Sequence, residues 1–421
     1  MLLSLGASAI LGVTRAVPAQ AETDPTPPPR VTTGAVALAA TAFAQLAGRR
    51  VGLVTNQTGL VGRDHLADLM HRAPGFDLVA IFAPEHGFRG SVEAGAKVAH
   101  GRDSRTGVRV LSLYGATRKP TSDMLRGIDV LVFDIQDVGV RFYTYISTMG
   151  LAMQAAASAR IPFLVLDRPN PIGGIDVSGF VLEPAFKSFV GQYPVPIVHG
   201  MTVGELALMI KGERWLEGLD ELDLHVVELN GWTRAMRWPR TGLEWTPTSP
   251  NIPTFVSALV YPGMGLVGEA LVNEGRGTPT PFELFGAPWL PADQVARDLD
   301  GGGLPGVRFE PLRYTPRPIP DIAANPRFRD RQIAGVRLLV TDAETYRPLE
   351  VGMHVLAALA RSSRASGERL FDKLKMFRLT SGTARLHDML VRGMNGADLT
   401  AAWQAEVEHF REQRAPYLIY Q

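Results

Sequence analysis

From residue 50 onward, short runs of continuous apolar residues alternate with stretches whose apolar positions recur at helical spacing. RVGLVTN (50–56), DLVAIFAPE (77–85), GVRVLSLY (107–114), DVLVFDIQ (129–136) and IPFLVLDR (161–168) are runs of the first kind. Val-, Ile- and Leu-rich runs without polar alternation predict strands covered on both faces, as in a parallel sheet. Between them the spacing predicts helices near 63–73, 120–127 and 143–160. This alternation implies an α/β fold with a doubly wound, Rossmann-like N-terminal domain.

The C-terminal half is less regular. A helix is predicted over 202–212, where Thr202 and Glu205 have the spacing of a capping box. LHVVELNGW (224–232) reads as a strand, and the Pro- and Gly-rich passage 238–289 has little periodicity and reads as a functional loop. Strands are predicted at 306–314 and 333–342, and helices at 344–363, 381–393 and 397–412. The pattern divides the chain into a first domain over 31–190 and a second α/β domain over 191–421, packed against the first.

Composition narrows the function. Lys plus Arg (43) balances Asp plus Glu (42) and no dense basic stripe is present, so there is no electrostatic footprint for nucleic acid. The absence of cysteine excludes thiolate nucleophiles, Cys-based zinc sites, iron–sulfur clusters and disulfides. The nine histidines show no metal-ligand spacing, and no metal is expected. Residues 1–17 are mostly apolar and small, Ala19-Gln20-Ala21 has the form of a cleavage site, and Pro-rich ETDPTPPPR follows. Residues 1–30 are therefore expected to be a secretory signal and linker, which makes the protein an exported one. No Lys or Arg precedes Arg15, so the same segment also fits a short uncleaved membrane anchor.

The polar residues cluster at the ends of the predicted strands: Asn56, Glu85-His86, Tyr114, Asp134 with Gln136-Asp137, and Asp167-Arg168. Open α/β sheets bind ligands beyond the carboxyl ends of their strands, so this repeated placement points to a site there. For any one residue the alternative is an ordinary solvated loop. Familiar motifs are missing: there is no G-x-S-x-G, H-E-x-x-H or Walker loop. Gly263, Gly265 and Gly268 match G-x-G-x-x-G, but turn-rich NEGRGTPTPFELFG follows in place of a βαβ unit, so no nucleotide is expected. Asp134 and Asp137 are spaced D-x-x-D, not the D-x-D of Mg²⁺-dependent phosphatases. Asn56-Gln57-Thr58 is formally a glycosylation sequon and reads better as site lining.

VGLVTNQTGL, FAPEHGFRG, DVLVFDIQDVGVRFYTY, LDRPNPIGG, WTPTSPNIPT and YPG…NEGRGT…PFELFGAPW occur in that order. Together they resemble the exo-β-N-acetylmuramidases, over roughly residues 35–421. The resemblance implies removal of non-reducing-terminal N-acetylmuramic acid from peptidoglycan-derived glycan fragments. It also implies a cleft between a Rossmann-like domain and a smaller C-terminal one, with no cofactor. Glycoside hydrolysis needs a carboxylic acid to protonate the leaving oxygen, and usually a second carboxylate.

Glu85 is the leading acid, because it ends a buried strand and withdrawal from water favours a protonated carboxyl. His86 follows it in a turn rich in donors, and pairing of Glu85 with Arg89 or His86 is the bracing alternative. Asp137 and Glu274 rank level as the second carboxylate, with Asp134 behind them because it can brace its own turn. The lactyl carboxylate of muramic acid invites a bidentate arginine, for which Arg89, Arg141 and Arg276 are eligible. Tyr143, Tyr145, Trp245 and Phe282 offer stacking faces, and Asn56, Asn251 and Asn273 offer amide contacts. Two other readings stay open: a non-catalytic peptidoglycan-binding protein, and a metal-dependent phosphoester or ester hydrolase.

Overall fold

The computed structural model describes residues 30–89, 95–96, 99–372 and 374–421, so the expected signal segment and its cleavage site lie outside the described residues. Helix α1 (Gly34–Ala40) opens the described chain, capped by the Thr33 side chain. Strand β1 (Arg50–Thr55), helix α2 (Leu66–Arg72), and strands β2 (Asp77–Ala83), β3 (Gly101–Arg102) and β4 (Arg109–Ser112) follow. Next come β5 (Val130–Asp134), α3 (Tyr145–Ala159), β6 (Phe163–Leu166), α4 (Val203–Gly212) and β7 (Leu224–Val227). These seven strands form one sheet in the order β3-β4-β2-β1-β5-β6-β7. All neighbours are parallel except β3, which runs antiparallel to β4 at the edge. With β3 set aside, the order is that of the doubly wound dinucleotide fold, and its switch point falls between β1 and β5.

The continuous apolar runs do what their pattern predicts. Along β1, Leu53 enters the core beneath α1 and α2, and Val54 enters the core beneath α3 and α4. Successive strand side chains point to opposite faces, so a strand buried on both needs an unbroken apolar run.

The second unit begins at α5 (Phe255–Val267) and β8 (Leu284–Ala287), and continues through α6 (Ala292–Asp300), β9 (Val307–Tyr314), β10 (Ile333–Val340) and α7 (Pro348–Ser366). Its three strands form an antiparallel sheet in the order β8-β10-β9. The core on the α3 side of the large sheet runs without a break into this unit and includes Phe285, Val336 and Leu356.

Three differences from the sequence reading have physical causes. The strand at Leu224–Val227, expected in the second domain, pairs parallel with β6 and completes the first sheet, so the large unit extends beyond residue 190. The passage 238–289, read as a loop, holds α5 and β8. FVSALVYPGMGLV is apolar on every side and buried, so it lacks the amphipathic period that marks a helix, and it carries Pro262 inside. The helix expected at 381–393 is the shorter Arg385–Val391, preceded by a separate helix over Leu374–Ser381, and the one expected at 397–412 is broken into Gly396–Ala401 and Gln404–Arg414.

The near-fingerprint glycines lie in and at the end of α5, not in a phosphate loop. A side chain on Gly263 would come within 2.7 Å of the Gly352 Cα on α7. Gly263 lets the two helices cross in close contact, while Gly265 and Gly268 make room for the side chains of Phe142 and Glu274.

Candidate active site

Beyond the carboxyl ends of β2 and β4 a cavity of about 620 Å³ lies between the two units. The first unit contributes Glu85, His86, Tyr114, Arg118 and the start of α3, Thr144-Tyr145. The second contributes Tyr261, Glu269, Arg276 and Phe282. A second recess of about 880 Å³ sits over the switch point, lined by Thr58, Gln136, Arg168 and Trp238 among others. Among the described residues, the carboxylate lining that recess is the exposed Glu244. The first cavity brings two carboxyl groups, Glu85 and Glu269, and a set of aromatic rings to one space.

Glu85 follows β2 and is half-buried. Gly95 donates its N–H to Glu85 Oε1 at 2.9 Å, and the Thr144 hydroxyl donates to Oε2 at 2.9 Å. Thr144 is the N-cap residue of α3, so the carboxyl also faces the positive end of a 15-residue helix. Among the described residues these two donors and the Tyr114 hydroxyl meet the carboxyl, and four lone pairs leave room for a proton or a ligand. Arg89, the expected bracing partner, is instead held by Asp68 and Asp103, at 3.2 and 2.9 Å. His86 takes a left-handed backbone (φ 69°) that turns the chain beside Glu85.

Opposite stands Glu269, just beyond α5 and half-buried. Burial raises its carboxyl above the ordinary range; Arg276 opposes the shift and Glu274 adds to it. Glu274 is buried behind the cavity wall and ion-paired with Arg276. Arg276 also lies over the Phe282 ring, 5.2 Å from its centroid.

The remaining wall is aromatic. Tyr143 meets Tyr145 and Tyr261 edge-on, with centroids 5.0 and 5.9 Å apart, and Tyr261 meets Phe282 at 4.9 Å. Burial pushes Tyr114 up to about 12, with Glu85 adding to the shift, so its hydroxyl stays protonated and able to donate.

Of the residues expected from sequence, the structure brings Glu85, His86, Tyr143, Asn251 and Arg276 to this cavity, along with Tyr145 and Phe282. The others serve elsewhere. Asp134 is fully buried in a bidentate pair with Arg168, at 2.6 and 3.0 Å. Asp137 lies off the cavity, accepting from the Gly139 N–H at 2.6 Å, and burial pushes it up to about 7. Its neighbour His199 is 3.9 Å away and pushed down to about 3 by burial. Both groups are driven toward neutrality and the gap exceeds a hydrogen bond, so this is not an ion pair.

Arg141 is fully buried, and its guanidinium donates to the carbonyls of Phe180, Val195, Thr380 and Ser381. It pins the second unit to the first and is closed to ligands. Asn56 folds onto Thr58, which also buries the sequon threonine. Asn273 holds the Arg276 and Arg327 carbonyls, and Trp245 packs against Trp238 and Phe255. Sequence reasoning missed Glu269 and Arg118, which stand in no strand-end run.

A cavity walled by aromatic rings and hydroxyls, with a carboxyl from each of two α/β units, has the features of a glycoside hydrolase site. The chain belongs to the exo-β-N-acetylmuramidase family. Residues 51–256 match the family described as "Exo-beta-N-acetylmuramidase NamZ, N-terminal", and residues 259–420 match its C-terminal counterpart. It is 40% identical over 397 residues to the peptidoglycan β-N-acetylmuramidase NamZ of Bacillus subtilis, covering 93% of this chain and 92% of that protein. Two crystal structures of DUF1343 family proteins from Bacteroides fragilis share the fold, with TM-scores of 0.85 and 0.76 at 40% and 35% identity. Each alignment covers 93% of this chain and 99% of the other.

Proposed function

We propose that this protein is an exo-acting β-N-acetylmuramidase, which hydrolyses the bond that joins a non-reducing-terminal N-acetylmuramic acid to the rest of a peptidoglycan fragment. The observation that carries the reading is Glu85, held by the Gly95 N–H and the Thr144 and Tyr114 hydroxyls at the mouth of α3 and open to a cavity that the second unit closes. In this reading Glu85 gives its proton to the leaving glycosidic oxygen. Glu269, held above its ordinary range by burial, is the second carboxyl; such a group is a stronger base than usual once ionised. The tyrosines supply rings and hydroxyls for the sugar. Binding without turnover has no comparable support, because a binding module needs no carboxyl on each side of its ligand.

The reading also carries an expectation about export. The apolar start and the Ala19-Gln20-Ala21 sequence support a secreted or wall-associated enzyme, which is where its substrate would be met.

The test is release of N-acetylmuramic acid from a MurNAc–GlcNAc disaccharide, with and without EDTA. Wild type is expected to release the sugar in both conditions, and Glu85→Gln to fall by about a hundredfold or more. No release by wild type from this or longer glycans would overturn the assignment.

A further inference from the structure

N-acetylmuramic acid differs from N-acetylglucosamine by a lactyl ether that ends in a carboxylate, so an enzyme acting on it has an anion to recognise. A planar guanidinium with its edge donors free is the side chain best shaped for this. Three of the arginines in question are already engaged. Arg89 is held by Asp68 and Asp103, and Arg141 is spent on backbone carbonyls in the core. Arg276 faces the cavity, but it neutralises Glu274 and also lies in the field of Glu269. A carboxylate approaching it meets two others of its own sign.

Arg118 is different. It lines the cavity from the first unit and is exposed, with no carboxylate partner among the described residues. Its guanidinium carbon lies 4.2 Å from the Phe189 ring centroid and 5.4 Å from that of Tyr114. Stacking on the Phe189 face holds the guanidinium in place; it also meets the Tyr114 hydroxyl, and the rest of its planar fork faces no carboxylate partner among the described residues. The acidic group on the same side of the cavity is Glu85, across Tyr114. In the reaction proposed above that carboxyl enters protonated, and so neutral.

We infer that Arg118, stacked on Phe189 and Tyr114, binds the lactyl carboxylate of the substrate and so selects muramic acid over sugars without it. This specificity role rests on the muramidase reading. It does not require Arg118 to touch the scissile bond.

The test compares two chromogenic substrates: the 4-nitrophenyl β-glycoside of N-acetylmuramic acid, and the same glycoside with its lactyl carboxyl converted to the amide. Arg118→Met keeps the stem packing and removes the charge. It is expected to lower kcat/KM on the acid by about 10- to 100-fold, mostly through KM, and to leave the amide within about threefold of wild type. Arg118→Lys, which keeps the charge but not the fork, is expected to fall between the two on the acid. Equal losses on both substrates would make Arg118 a mere brace for Tyr114 and Phe189, and no loss on either would place the carboxylate elsewhere. Both outcomes overturn the inference while wild-type turnover leaves the muramidase reading standing. Wild type inert on both glycosides would overturn that reading, and this inference would fall with it.

Discussion

At the scale of single residues, a strand end predicts where a side chain starts but not what it meets. Glu85 and Asp134 both close buried strands in the same sheet, and both were eligible as catalytic carboxyls. Arg168, 34 residues away in sequence, claims Asp134 in a bidentate pair, while the donors to Glu85 among the described residues are neutral. Glu269 was illegible for the opposite reason: it reaches the cavity only because α5 folds and ends two residues before it. Its environment gives a pH prediction. A carboxyl raised by burial is ionised, and able to serve as base, only above its raised pKa, so activity is lost as pH falls through that value. Arg276 holds the rise in check. Arg276→Met should therefore move the acidic limb of the kcat/KM profile to higher pH. A limb that stays put or moves down would mean that Glu269 is not the group titrating in catalysis.

At the scale of elements, the parallel strands were readable because burial on both faces demands unbroken apolar runs, here short ones that each end in polar residues. Helix α4 was readable from its cap, since both halves of the Thr202–Glu205 box are formed. Helix α5 was not, because a helix surrounded by core has no polar side to betray its period. The glycines that mimic a nucleotide fingerprint belong to this hidden helix, where Gly263 faces Gly352 across the α5–α7 crossing. Gly263→Ala should therefore act on stability and not on nucleotide affinity. The added methyl group meets backbone, which cannot swing aside. The cost should be about 1–3 kcal/mol, read as a melting temperature lower by several degrees. An unchanged melting temperature would mean that the two helices have room to separate.

At the scale of the whole molecule, the two units share one core and the end of the chain returns to the first. Tyr420, from the second unit's C-terminus, donates its hydroxyl to Asp167 at 2.6 Å, and the same oxygen accepts the Leu229 N–H. Asp167 ends β6 at full burial and is pushed up to about 6; the Tyr420 and Thr202 hydroxyls and the Gly204 N–H offset part of that shift. Arg414 adds bonds to the carbonyls of His199 and Gly200, as Arg141 does to Thr380 and Ser381 from the other side. A cavity built from both units keeps its geometry only if they move as one body, and these buried ties supply the coupling. Tyr420→Phe removes one hydroxyl, leaving Asp167 and the Leu229 N–H each short of a partner. A bond from a hydroxyl to a buried carboxylate contributes about 1.5–3 kcal/mol, and the loss should be larger above the Asp167 pKa, where the carboxylate is charged. Calorimetry at pH 7.5 should show one transition shifted down as a whole, with a smaller shift at pH 5. Two separate transitions, only one of them moved, would mean that the units unfold independently and that the cleft between them is free to open.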